Sequence, residues 1–299
     1  MSQFPNRVLS PDESFPVITG IELKLSDVSF EKIREFIYSN CGVYFQDNKK
    51  YLLESRLLKR INHLGMCSYE EYFEYLKFNR GSIDEKKFLF EAITINETFF
   101  FRNSPQLDAL VTNVIPELIA AKRKNGRIRL RIWSAASSSG EEAYSIGITI
   151  ADLLKPKYPD LEYEIIGTDI NHTVLESAKS GLFREYSIRN TPVYYLKKYF
   201  KPKGNAFEID PEIKKKVSFK LLNLYDDIAM RSMANFDIIF CANVLIYFDM
   251  KAKVKVVSNL YNSLNKGGYL FIGYAETLHM ISKAYTIVSF PKTIGYKKE

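Results

Sequence analysis

Cysteine and histidine are scarce in this 299-residue chain, at three residues each. Cys41, Cys67 and Cys241 stand far apart without metal-ligand spacing, and an odd count cannot pair completely. No metal site and no disulfide framework is therefore expected, and the few histidines leave little material for a His- or Cys-based nucleophile. No apolar run approaches the roughly 20 residues of a membrane-spanning helix. The opening stretch MSQFPNRVLSPDESFP lacks the basic and apolar regions of a secretory signal. A cytoplasmic protein without membrane insertion is expected. The GxGxxG fingerprint of dinucleotide-binding folds is also missing.

Positive charge is in modest excess, with 42 basic against 35 acidic residues and a net charge of +7. That suits an acidic partner and equally suits an ordinary soluble protein with surplus lysine. Hydrophobic residues make up 46%, enough for one large core or two smaller ones.

Residues 1–26 carry Pro5, Pro11 and Pro16 with little periodicity and read as a flexible leader. Residues 27–94 read as a small all-helical domain of four helices. Phe30, Ile33 and Ile37 form one apolar stripe and Leu53, Leu57, Ile61 and Leu64 the next, with Gly42 and Gly65 as stops. On the second helix Lys49, Arg56, Arg60 and His63 align beside the stripe, with Lys59 nearby. This line is either a docking face for an acidic partner or the solvated face of an amphipathic helix. Residues 95–128 read as a linker and a connecting helix. The linker INETFFFRNSPQ sets Asn96, Thr98 and Arg102 among three consecutive phenylalanines that cannot all face one core. It is either a site segment or a cap for the next helix.

Residues 129–299 alternate strands and helices. RLRIWSAA is a buried strand, Ser137 to Gly140 a loop of small residues, EEAYSIGITIADLL a helix, and YEIIGTD a second strand ending on Asp169. Strand, small-residue turn, helix, strand and acid is the plan of a nucleoside-binding α/β unit, in which the acid accepts bonds from ribose hydroxyls. The spacing from Gly140 to Asp169 exceeds the roughly 20 residues of the dinucleotide pattern. NAFEID and KVSFKLL read as two short antiparallel strands of a β insertion at about 186–222, with Pro211 in their connection. FDIIFCANVLIYF resumes the α/β pattern, and YTIVSF with TIGYKK closes the chain as a hairpin.

An α/β sheet that ends antiparallel is the pattern of S-adenosylmethionine-dependent methyltransferases (a Rossmann-like sheet). Here it carries an all-helical N-terminal domain and a small antiparallel β insertion. NETFFFR, WSAASSSGEEAYSI, GTDINHTVLESAKSGLF, FDIIFCANVLIYF and GGYLFIGYAET, in this order, resemble the chemotaxis protein-glutamate O-methyltransferases (CheR). The resemblance runs from about Asp27 to Lys297. It implies methyl transfer from S-adenosylmethionine to glutamates on the cytoplasmic domain of chemoreceptors, leaving S-adenosylhomocysteine.

By the same resemblance Asn96, Thr98 and Arg102 line the donor and acceptor pocket, and Glu141 meets the methionyl end of the donor. Asp169 holds the ribose, Asn223 and Leu224 flank the adenine, and Asn243 and Tyr247 belong to the turn at the transferred methyl. Arg102 and Tyr247 are the expected catalytic residues, and Arg56, Lys59 and Arg60 the expected receptor contacts. Structural alternatives stand beside these roles. In these Glu141 serves only the helix N-terminus, Asp169 caps the helix that follows it, Asn223 bonds backbone, and Tyr247 is core. Ala242 and Ala143 replace the arginine and proline that the family often carries. Recognition without a receptor tail peptide, by a monomer, is expected. The alternatives are a non-catalytic S-adenosylmethionine-binding scaffold and a nucleic-acid methyltransferase. Against the latter, CANV lacks the N/D-P-P-Y/F clamp for a flipped base, and no nucleic-acid partner is expected.

Overall fold

The computed structural model describes residues 23–78, 82–123 and 128–299. The expected leader lies, as far as residue 22, outside the described residues, and so does Gly126. The described chain divides into two compact units, one of residues 23–35 and 45–93, the other of residues 36–44 and 94–299.

The first unit is helical: α1 (Asp27–Cys41) as far as Glu35, α2 (Lys50–His63), α3 (Tyr69–Phe78) and α4 (Ser82–Ile93). Phe30 and Ile33, then Leu53, Leu57 and Ile61, then Tyr69, Tyr72 and Leu76 are buried at helical spacing. Full burial of such a side chain contributes about 1.5–3 kcal/mol, so these stripes outweigh weak local propensity. Gly65 ends α2 in a left-handed conformation at φ +67°. The expected helical domain of residues 27–94 includes residues 36–44, which here belong to the second unit. There the Tyr38 hydroxyl meets both carboxylate oxygens of Asp249 at 3.1 Å, and the Tyr44 amide donates to the Tyr247 carbonyl at 3.0 Å.

In the second unit α5 (Ser104–Ala109) continues through a π turn at Leu110–Val114 into α6 (Ile115–Arg123). There follow β1 (Arg129–Ala135), α7 (Glu141–Leu153), β2 (Glu162–Asp169), α8 (His172–Ser180), β3 (Leu182–Phe183), α9 (Glu185–Ile188), α10 (Val193–Tyr199), β4 (Phe200–Lys203) and β5 (Ala206–Ile209). The chain ends with α11 (Pro211–Lys214), β6 (Val217–Leu221), α12 (Asp227–Met230), β7 (Phe236–Cys241), α13 (Met250–Ser263), β8 (Leu264–Ile272), β9 (Thr286–Phe290) and β10 (Thr293–Lys297).

Seven strands form one sheet in the order β6-β2-β1-β7-β8-β10-β9. The first five are parallel, and β10 runs antiparallel to both β8 and β9. Every residue of β7 is buried, as expected of a parallel strand covered on both faces. Trp133 is fully buried, and its indole N–H donates to the Thr168 hydroxyl at 2.9 Å, tying β1 to β2.

The β insertion differs from its expected form. β5 pairs antiparallel with β3 and β4 in a separate three-stranded sheet, whereas β6 joins the main sheet parallel to β2. Pro211 is the cause. It opens α11, whose first amides are capped by the Asp210 carboxylate, so the chain leaves β5 through a helical turn and no hairpin forms. The insertion thus ends near Asp210, not at 222. From β1 the strand order grows one way through β2 to β6 and the other way through β7 to β8. The crevice beyond the carboxyl ends of β1 and β7 is the switch point where ligands of such sheets bind.

Candidate active site at the strand ends

Four non-glycine residues with positive φ gather in the segments that lead to this crevice: Phe101 (58°), Ala136 (60°), Ser138 (49°) and Asn243 (60°). Each costs on the order of 1–3 kcal/mol and persists only where its surroundings over-determine it, as functional sites do. Gly140, at φ +93°, starts α7, and a Cβ there would lie 2.8 Å from the Phe219 ring. Only glycine fits this turn.

The segment 94–102 is stitched onto the strand ends by hydrogen bonds. The Asn171 amide donates to the Thr94 hydroxyl at 3.0 Å, and the Ser138 hydroxyl donates to the Asn96 carbonyl at 3.1 Å. The Phe101 N–H donates to the Ser145 hydroxyl at 3.0 Å. The three phenylalanines divide their tasks. Phe100 is buried edge-on to Phe183 and Phe200, Phe101 stacks on Tyr195 at 5.1 Å, and Phe99 stays half-buried. Thr98 is half-buried. Arg102 is exposed, one of its N–H groups donating to the Glu97 carbonyl at 2.8 Å.

The acids separate by direction. Glu141 is 1% exposed and closed in, accepting a bond from the Ser139 hydroxyl at 2.7 Å and another from Ser187. Glu142 accepts from the Ser134 hydroxyl at 2.7 Å and feels the charges of Arg102 and Glu276. It keeps some accessible surface, yet burial pushes its carboxyl up to about 7. Asp169 is buried, and burial raises its pKa against the pull of three backbone N–H groups, those of Ser138 (2.8 Å), Asn171 (2.9 Å) and Ile170. Asp169 does not cap α8; Asn171 does, accepting from the Val174 N–H. Neither Glu142 nor Asp169 makes an ion pair among the described residues.

Other expected site residues are engaged elsewhere. The Asn223 amide donates to the Asn40 carbonyl at 2.7 Å, and its oxygen accepts the Tyr225 N–H at 3.0 Å. That is the structural alternative for its side chain, and its backbone carbonyl accepts the Asp226 N–H at 3.1 Å. The Leu224 side chain belongs to the core around Trp133 and Phe236. Asn243 and Tyr247 follow β7, both half-buried, and the Asn243 N–H donates to Glu276 at 2.9 Å.

In the first unit Arg60 forms a two-point pair with Glu85 (2.9 and 2.6 Å), and Arg56 donates to the Ile93 carbonyl at 2.6 Å. Lys59 is exposed. Of the basic line, the two arginines thus support their own fold.

The crevice therefore brings together Asn96, Arg102, Asp169 and Asn243, with Glu142, which the sequence reading ranks below Glu141, and Glu276, which it does not single out. Glu142 is adjacent to Glu141, and neighbours on a helix point about 100° apart, a choice that needs the helix placed first. Glu276 lies in GYAET, where it reads only as a turn residue.

Comparison with known proteins gives a consistent result. A family model described as CheR methyltransferase, SAM binding domain, matches residues 96–294, and one described as CheR methyltransferase, all-alpha domain, matches 29–94. The chain is 35% identical over 278 residues to chemotaxis protein methyltransferase 2 of Vibrio cholerae, covering 93% of this chain and 95% of that one. It is 36% identical over 279 residues to chemotaxis protein methyltransferase 1 of Pseudomonas aeruginosa, covering 92% and 99%. To the chemotaxis protein methyltransferase of Borreliella burgdorferi it is 33% identical over 260 residues, covering 87% and 91%.

Proposed function

This chain belongs to the CheR methyltransferase family, and from that premise we propose that it esterifies specific glutamate side chains on the cytoplasmic helical bundle of chemoreceptors. It is an S-adenosylmethionine-dependent enzyme of chemotaxis. The observation that carries the fuller reading is a pair of acids without an ion pair among the described residues: Asp169, which accepts the Ser138 N–H at 2.8 Å, and Glu142, which accepts the Ser134 hydroxyl at 2.7 Å.

The residues present fit the donor. Its ribose diol needs an acceptor, and the Asp169 carboxylate keeps acceptor capacity beyond that taken by the Ser138, Ile170 and Asn171 amides. Its cationic end needs a carboxylate, and Glu142 supplies one where Glu141 is already closed in. The role assigned to Glu141 by resemblance therefore passes to Glu142. Ser137, whose buried hydroxyl has no partner in the structure, stands in the same loop.

S-adenosylmethionine supplies a methyl group on a positively charged sulfur, and its transfer to a carboxylate leaves a neutral thioether and a neutral ester. A glutamate acceptor, with an ordinary pKa near ~4.3, is already ionised, so no residue has to remove a proton. Two opposite charges cancel as the bond forms, and an enclosed site of low dielectric favours that cancellation over the charged reactants. Arg102 orients the acceptor carboxylate, and the turn bearing Asn243 and Tyr247 sets its distance at about 3 Å from the methyl carbon. A tight Arg102–carboxylate pair would hold the reactant back, so its role is alignment.

Two measurements test this. Methyl label transferred to receptor-containing membranes should leave as methanol in mild base, as an ester does; label that survives base indicates a nitrogen acceptor and sinks the reading. The second exploits Glu142. With a folded pKa near 7, above the ordinary carboxyl value, its proton is held between about 4.5 and 7, and folding stability falls as pH rises through that window. A cationic ligand reverses the sign, because it binds the ionised form. Donor affinity should tighten about tenfold from pH 6 to pH 8, the ratio of ionised fractions one unit either side of 7. The product S-adenosylhomocysteine, which keeps the α-ammonium but has lost the sulfonium charge, should show a change of the same sign and no larger size, and Glu142→Gln should flatten both profiles.

A further inference from the structure

Glu276 makes an unusual set of contacts. One carboxylate oxygen accepts the backbone N–H of Asn243 (2.9 Å) and of Gly273 (2.7 Å); the other accepts the N–H of Ile246 (3.2 Å). Its own N–H donates to the Gly273 carbonyl at 2.9 Å. A single side chain on the turn after β8 thereby fixes the turn after β7 at two points. That second turn holds Asn243 in the left-handed region and leads through Leu245–Tyr247 to the bond between the Tyr247 carbonyl and the Tyr44 N–H. Gly273 is shaped for the same arrangement. A Cβ there would lie 2.7 Å from the Glu276 carboxylate and 2.8 Å from the Asn243 nitrogen. A carboxylate suits three converging N–H donors in a way an amide cannot, since the amide NH2 would face an N–H.

We propose that Glu276 is a positioning residue for methyl transfer: it locks the turn that carries Asn243 and Tyr247 in the conformation at which the acceptor meets the methyl group. The inference rests on the methyl-transfer reading above. It gives Glu276 no contact with either substrate, so its influence passes through the backbone it holds. Misplacement of a reacting group by about an ångström slows reaction by up to about a hundredfold while leaving binding of the donor, anchored at Asp169, largely intact.

The test compares wild type with Glu276→Gln and Gly273→Ala, measuring donor Kd directly, the melting temperature, and kcat for base-labile methylation of receptor-containing membranes. Glu276→Gln should lower kcat at least tenfold, with donor Kd within threefold and the melting transition still cooperative. Gly273→Ala displaces the same carboxylate without removing it, should give the same split, and serves alone if the first variant fails to fold. The double variant should lose no more than the worse single one, because both break one contact set. A kcat within twofold of wild type, a donor Kd that weakens in step with kcat, or losses that multiply in the double variant would overturn the proposal. If wild type itself neither binds donor nor forms base-labile ester, the methyl-transfer reading fails first, and the two failures are told apart.

Discussion

Arg102→Ala is expected to lower kcat for receptor methylation about a hundredfold, near ~2.7 kcal/mol in the barrier, the scale of losing one preorganised donor in an enclosed site. Arg102 is exposed and tied to its own segment by the bond to the Glu97 carbonyl. Its guanidinium is therefore presented to solvent and makes no ion pair among the described residues, as the proposed acceptor role requires. It also lowers the pKa of Glu142 through space. Its removal should shift the donor-binding pH profile upward, so the comparison belongs at about pH 8.5, where Glu142 is ionised in both proteins. There donor Kd should change less than threefold while kcat falls. Arg102→Lys keeps the charge but not the forked geometry and should recover only part of the rate. Equal losses in donor affinity and rate would assign Arg102 to the donor instead.

Arg60→Ala is expected to destabilise the helical unit by about 3–5 kcal/mol, the usual result of stripping one partner from a buried ion pair. Glu85 is 2% exposed, accepts two bonds from Arg60 and one from the Tyr72 hydroxyl at 2.9 Å, and would be left as a buried charge without a cation. Urea unfolding should report a lower midpoint. The double variant Arg60→Ala/Glu85→Gln should regain part of the loss, because the orphaned charge is gone. The result has a practical side. Weak receptor methylation by Arg60→Ala would reflect a loosened fold, so the docking role of the basic helix is better probed at exposed Lys59. Lys59→Glu should leave the urea midpoint within about 0.5 kcal/mol of wild type and raise KM for receptor membranes several-fold.

Much of the α/β unit was legible in the chain because its signals are local. Small residues between a buried strand and a helix, and an acid at the end of the next strand, each follow from chemistry within a few positions. The parts misread depend on distant partners. VSFKL alternates well enough to edge either sheet, and only its pairing with β2 decides which. Arg60 looks like a surface cation until Glu85 is found 25 residues on. The Glu141–Glu142 choice turns on the rotation of one helix, and the Asn223 amide on a carbonyl in residues 36–44, far away in sequence. The N-x-T…R segment stands out for its polar groups among phenylalanines, whereas which phenylalanine seals which contact depends on β3 and β4.

The second unit draws residues 36–44 from a stretch of chain that precedes most of the helical unit. A fragment begun at residue 94 would therefore strip Asp249 of its Tyr38 hydroxyl, the Asn223 amide of its acceptor on Asn40, and the Tyr247 carbonyl of its amide partner. The two units are interleaved in the gene and not laid end to end. Proteolysis at position 94 would thus produce a damaged transferase half.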